Sequence, residues 1–183
     1  GHNVPSQQFP NNIHDTWHPV AITNGFVCGT NCLDFYVTNA VIGINPTGLR
    51  AELTNIFNEC CCTNLTNSAF SIFSGANNNG PLPVYAPDNQ FTLSCAPPGI
   101  PLNPPVAVPA YPGWIPNSIN SQWVSPFPNH FGPEGLYCYT LRFDLPPCDG
   151  VPQYTLTGRW DADNEGEIYL NGQPTRHGLP LNT

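Results

Sequence analysis

Gly, Pro and Asn interrupt this sequence so often that almost no stretch sustains a helical apolar period. What survives between them is short and β-rich. Runs of alternating or β-branched residues cover 20–27, 33–37, 49–53, 70–73, 91–93, 106–108, 122–124, 136–145, 154–160 and 167–170. Residues 75–120 are dominated by Gly, Pro and Asn, which favours irregular or edge structure and excludes helix. About eight strands at short, turn-bounded spacing predict an all-β domain, a β-sandwich or jelly roll. Within it, Cys28-Gly29-Thr30-Asn31-Cys32 reads as a hairpin turn, with the two Cys able to pair across it.

Composition decides the surroundings. Only 9% of residues are charged and Lys is absent, so the polar surface is built from Asn, Thr, Ser and Gln. A net charge of -8 carried against just four Arg excludes nucleic acid and anionic membrane as partners. No apolar run approaches the length of a membrane span. With no Met and Gly1 at its start, the sequence reads as a mature chain from which a signal peptide has been removed. Eight Cys (Cys28, Cys32, Cys60, Cys61, Cys62, Cys95, Cys138 and Cys148) show no zinc or haem spacing. In an extracellular or cell-surface setting they predict disulfides, with connectivity left open.

Candidate chemistry is sparse. Asp161, Asp163 and Asn164, followed by Glu165 and Glu167, offer hard oxygen donors of the kind Ca²⁺ takes, without an EF-hand loop. The plainer reading is an acidic, solvated turn before Ile168. His14 and His18 read as surface or strand-edge residues. Asn64-Leu65-Thr66 is the single glycosylation sequon and marks a surface position. Ser121 and Ser125 have no base beside them in sequence, and no P-loop, nucleophile elbow or facing carboxylate pair is present. The chain therefore reads as a non-enzyme with no required cofactor. The aromatics Tyr111, Trp114, Trp123, Tyr137, Tyr139, Trp160 and Tyr169 suit a sandwich core better than an exposed sugar platform. Alternation of Leu156, Gly158 and Trp160 puts Trp160, Leu156 and Ile168 in that core and Asp161, Asp163 and Asn164 at the strand end.

At Gly158-Arg159-Trp160-Asp161-Ala162-Asp163-Asn164, followed by Ile168-Tyr169-Leu170-Asn171-Gly172, a specific resemblance emerges. These residues resemble the galactose-binding-like jelly-roll modules of bacterial extracellular proteins of the PEP-CTERM type. Residues 73–80, 109–114, 121–126 and 137–145 are similar to the first half of that module. The second half resembles residues 17–23, 25–35, Asn39 and 46–53, which here stand first. The halves are swapped: residues 1–54 match the second half, 55–69 form a Cys-rich connector, and 70–183 match the first half. The Cys residues depart from the family pattern.

Three arrangements fit the swapped order: a circularly permuted monomer, one repeat of a tandem array, or a head-to-tail polymer in which residues 1–54 complete the next subunit. Half a jelly roll leaves open edges and an open core, so each half needs a partner. The expectation is a structural subunit of an extracellular filament, a homopolymer held by strand complementation and disulfides. The alternative is a secreted carbohydrate-binding module with a glycan partner.

Overall fold

A computed structural model describes residues 14–57, 71–145 and 154–179. Cys60, Cys61, Cys62, Cys148 and the Asn64 sequon lie outside them. The described strands are β1 (His18–Ile22), β2 (Gly29–Pro46), β3 (Gly48–Phe57), β4 (Ser71–Phe73), β5 (Ala76–Asn77), β6 (Gly80–Pro81) and β7 (Phe91–Cys95). They continue with β8 (Val106–Val108), β9 (Trp123–Ser125), β10 (Phe131–Leu145), β11 (Tyr154–Asp163), β12 (Glu165–Leu170) and β13 (Gln173–Leu179). No helix occurs among the described residues, and every strand pair is antiparallel.

Two sheets pack face to face as a β-sandwich. Sheet one runs β1-β11-β3-β9-β8, with β4 beside part of β3. Sheet two runs β13-β12-β2-β10-β7. Alternation fills the space between them. Leu33, Phe35 and Val37 point inward from β2, Leu49, Ala51 and Leu53 from β3, and Leu156, Trp160 and Ala162 from β11. Trp160, Leu156 and Ile168 are fully buried, as their alternation predicts. Phe35 links the two sheets, its ring 5.7 Å from Trp160 and 6.1 Å from Phe91.

Gly158 lets β11 sit between β1 and β3, pairing with Val20 on one side and Leu53 on the other. A Cβ there would lie 2.0 Å from the Glu52 carbonyl oxygen and 2.8 Å from Leu53 Cα. The β12–β13 turn is Asn171-Gly172, with φ of 51° and 75°, the positive pair that a tight hairpin turn requires. Asn171 also donates to the Gly25 carbonyl and accepts from the Cys32 amide.

Residues 28–32 are not a hairpin turn. β1 belongs to sheet one and β2 to sheet two, so residues 23–28 carry the chain across the edge of the sandwich. The corner is fixed by Asn31, which is fully buried. Its side chain bonds to both backbone groups of Val27, to the Gly29 carbonyl and to Asn171. Cys28 is disulfide-bonded while Cys32 is a half-buried free thiol, so the two do not pair with each other. Cys95 and Cys138 form a disulfide between the register partners of β7 and β10.

The halves meet within one chain. β2 is zipped between β12 and β10, and β3 between β11 and β9, all of the same chain. Pairing of residues 1–54 with a neighbouring subunit is thus not the arrangement of this isolated chain. The physical reason is the one that motivated the expectation: an open half must be closed, and the nearest closing partner is the chain's own other half.

Candidate functional site

Arg50 and Glu52 alternate with the inward residues of β3, and Arg159, Asp161 and Asp163 with those of β11, so all five belong to the outer face of sheet one. Alternation alone would leave them in water. Instead, Arg50, Glu52, Asp161 and Asp163 are buried, because residues 14–17 and the stretch from Tyr111 to Ser121 lie over this face. His14 bridges to Trp114 in parallel, and its carbonyl accepts from the Ile115 amide at 2.6 Å.

His14 is only 5% exposed and sits between two carboxylates. Its Nδ1 is 3.6 Å from Asp161 Oδ1, and its Nε2 is 3.2 Å from Asp163 Oδ1. Trp114 Nε1–H donates to Asp163 Oδ2 at 2.7 Å and fixes that carboxylate. Burial would lower the imidazole pKa, but Asp161 and Asp163 outweigh it and raise it to about 9. Burial raises the Asp161 carboxyl, which the His14 imidazole partly offsets.

A second knot lies beside it. Arg50 donates from Nε to Ser121 Oγ at 2.9 Å and from Nη1 to the Ile115 and Pro116 carbonyls. Ser121 Oγ donates to Glu52 Oε1 at 2.6 Å, and Arg159 Nη2 lies 2.6 Å from Glu52 Oε2. Burial pushes the Glu52 carboxyl up, but Ser121 and the two Arg overcome it and hold it below its ordinary value. Burial lowers the Arg50 guanidinium to about 10. Trp17 covers this second knot: its ring centroid is 4.7 Å from the Arg50 guanidinium and 4.4 Å from that of Arg159.

The residues read from sequence as an acidic turn are therefore divided. Asp161 and Asp163 converge on His14, while Asn164 Oδ1 accepts from the Ala40 amide in the other sheet. Glu165 is half-buried, and Glu167 is exposed and accepts from the Tyr169 hydroxyl. The three side chains of Asp161, Asp163 and Asn164 thus point to different partners, His14 for the first two and Ala40 for the third. Among the described residues no group of three or more His, Cys, Asp and Glu side chains is gathered as a metal ion would need. The solvated-turn reading fails for Asp161, Asp163 and Asn164, all of them buried. His14 is likewise not a surface residue; His18 does begin an edge strand, half-buried. Sequence reasoning passed over Arg50 and Glu52. Their outward register was legible, but the cover over them was not.

Both imidazole nitrogens face carboxylates of β11 and the ring is buried, so His14 ties residues 14–17 to that strand. The arrangement fastens chain segments together. A different surface is open on sheet two. There Tyr36 and Tyr169 stack at 4.6 Å, beside Thr140, which donates to Asp34, and Ser94, which shares a hydrogen bond with Thr140 at 2.7 Å. Thr92 and Ser94 are exposed in the same sheet. Trp114, Trp123, Tyr137, Tyr139 and Trp160 are buried, and Tyr111 is half-buried. No family model, curated protein or solved structure matches this chain.

Proposed function

We propose that this protein is a structural subunit of an extracellular or cell-surface filament, assembled head to tail by strand complementation and disulfides. The reading rests on one observation. The segment ending at Phe57 supplies β2 and β3, which lie third in the order of each sheet. The strands that pair with them, β10 and β12 with β2 and β4, β9 and β11 with β3, all come from beyond residue 70. Neither half has a closed core without the other, and the sequence links them only once. Exchange through that link rebuilds the same sandwich between neighbours, with each subunit donating one half and receiving another. Because donor and acceptor surfaces differ, the contact is heterologous, and it propagates as a filament where the rotation between neighbours closes no ring. The resemblance to extracellular jelly-roll modules in swapped order supports the same reading, as does the Cys95–Cys138 cross-link.

The second reading, a permuted carbohydrate-binding module, is favoured by the Tyr36–Tyr169 stack and the hydroxyls of Thr92 and Ser94 on the open face of sheet two. Non-reducing size-exclusion chromatography with negative-stain microscopy separates the two. Filaments support the first reading. A monodisperse monomer that binds members of a glycan array supports the second and removes the first.

A further inference from the structure

We infer that residues 14–17 form a detachable strap on the outer face of sheet one, fastened by His14 and Trp17 and released when His14 loses its charge. The His14 anchor relies on charge, whereas the Trp17 anchor adds packing against the apolar cluster of Val108, Trp114, Ile115 and Trp123. His14 is held by the Asp161 and Asp163 carboxylates, and Trp17 by the Arg50 and Arg159 guanidinium groups. Between the anchors, Asp15 and Thr16 are exposed and bond only to each other among the contacts seen. None of the four residues belongs to the core between the sheets. The strap is also fastened at the backbone by the Ile115 amide and the His14 carbonyl.

The charged groups around His14 set the direction of release. Asp161 and Asp163 face it from β11. Arg50, Glu52 and Arg159 lie beyond them around Trp17, His18 follows on β1 and acts on Asp161, and the His130 ring packs 5.8 Å from Trp114. A neutral imidazole would leave two buried carboxylates facing it with no cation between them. The docked imidazole is raised from 6.5 to about 9, so its contribution is complete below pH 6.5 and is lost as pH rises through about 9. Asp161 is shifted upward by burial, so protonating it in acid also removes a desolvation cost, and acid is not the releasing direction. Across the alkaline window the docking equilibrium weakens by about two orders of magnitude.

Amide hydrogen exchange on the full chain tests this, with the Ile115 amide reporting the strap and the Phe35 amide of β2 reporting the core. After correction for intrinsic rates, protection of Ile115 should fall by about a hundredfold between pH 6 and pH 10 while Phe35 stays protected. His14→Gln should lower Ile115 protection at pH 6 and abolish the pH dependence, whereas His18→Gln should retain it. Equal Ile115 protection at both pH values in the wild type overturns the strap. So does a His14→Gln chain whose Ile115 profile matches the wild type. Parallel loss of protection at Ile115 and Phe35 also overturns it, since that would be global unfolding.

Discussion

Replacing Gly158 with Ala puts a methyl group where the Glu52 carbonyl oxygen already stands, 2.0 Å away, and 2.8 Å from Leu53 Cα. Real Cβ atoms essentially never approach below 3.0 Å, so the strands must part by about an ångström. β11 cannot simply slide, because β1 holds its other edge from Val20 to Gly158. Overpacking of this kind costs about 1–3 kcal/mol. The φ of 157° adds strain of about 1–3 kcal/mol for an L side chain. Against this, Ala reduces the freedom of the unfolded chain, stabilising by about 0.4–1 kcal/mol. The net expectation is a loss of about 1–5 kcal/mol, centred near 3. Denaturant unfolding under non-reducing conditions measures it. Gly172→Ala is the control: its φ is 75° but no atom lies within 4 Å of the added Cβ, so it should lose only about 1 kcal/mol. A Gly158→Ala loss under about 1 kcal/mol, or one equal to that of Gly172→Ala, would refute the close approach of β11 and β3.

Trp160→Ala empties a fully buried site against Phe35 and should cost about 3–5 kcal/mol, read as a fall in melting temperature; an unchanged value removes Trp160 from the core. Removing the Cys95–Cys138 cross-link by a double Ser substitution releases a 43-residue separation and should cost about 3–4 kcal/mol in the same assay. Glu52 is held below its ordinary pKa in the folded chain, so its contribution is present above the unfolded value and fades as pH falls through the folded one. Glu52→Gln should therefore flatten the acid limb of stability against pH, and an unaltered limb would show that the Arg50–Glu52–Arg159 knot contributes nothing there. Chelator should leave the melting temperature unchanged if His14 is the cation serving Asp161 and Asp163; a drop would assign those carboxylates to Ca²⁺ instead.

The two-residue period carried most of the fold in the sequence. Runs such as 33–37 and 154–160 alternate cleanly because one face of each strand meets the other sheet, and their inward residues are the buried ones. The Asn171-Gly172 pair was legible as a tight turn after the β-rich run 167–170, and both residues take the positive φ that such a turn requires. The crossover at residues 23–28 was not legible, because a turn flanked by two Cys looks alike whether the strands pair or part. What decides it is Asn31, whose partners include a residue 140 positions away. The site was hidden for a similar reason. Arg50, Glu52, Asp161 and Asp163 follow the pattern of solvent-facing positions, and only the return of residues 14–17 and of the segment around Trp114 turns that face into an interior. His14 carried no local signal of burial, since both of its partners lie about 150 residues away.

Strand exchange between subunits is tested most directly by a covalent trap across β2 and β10. Thr38 and Leu136 are register partners, half-buried and exposed respectively. Cys is introduced at both positions, the purified protein is oxidised, and the product is run on a denaturing, non-reducing gel beside the wild type. Exchange predicts a ladder of linked chains beyond any in the wild type, because each new bond joins residue 38 of one subunit to residue 136 of another. A new bond that leaves every chain at monomer size would contradict the exchange and leave a permuted, self-closed module.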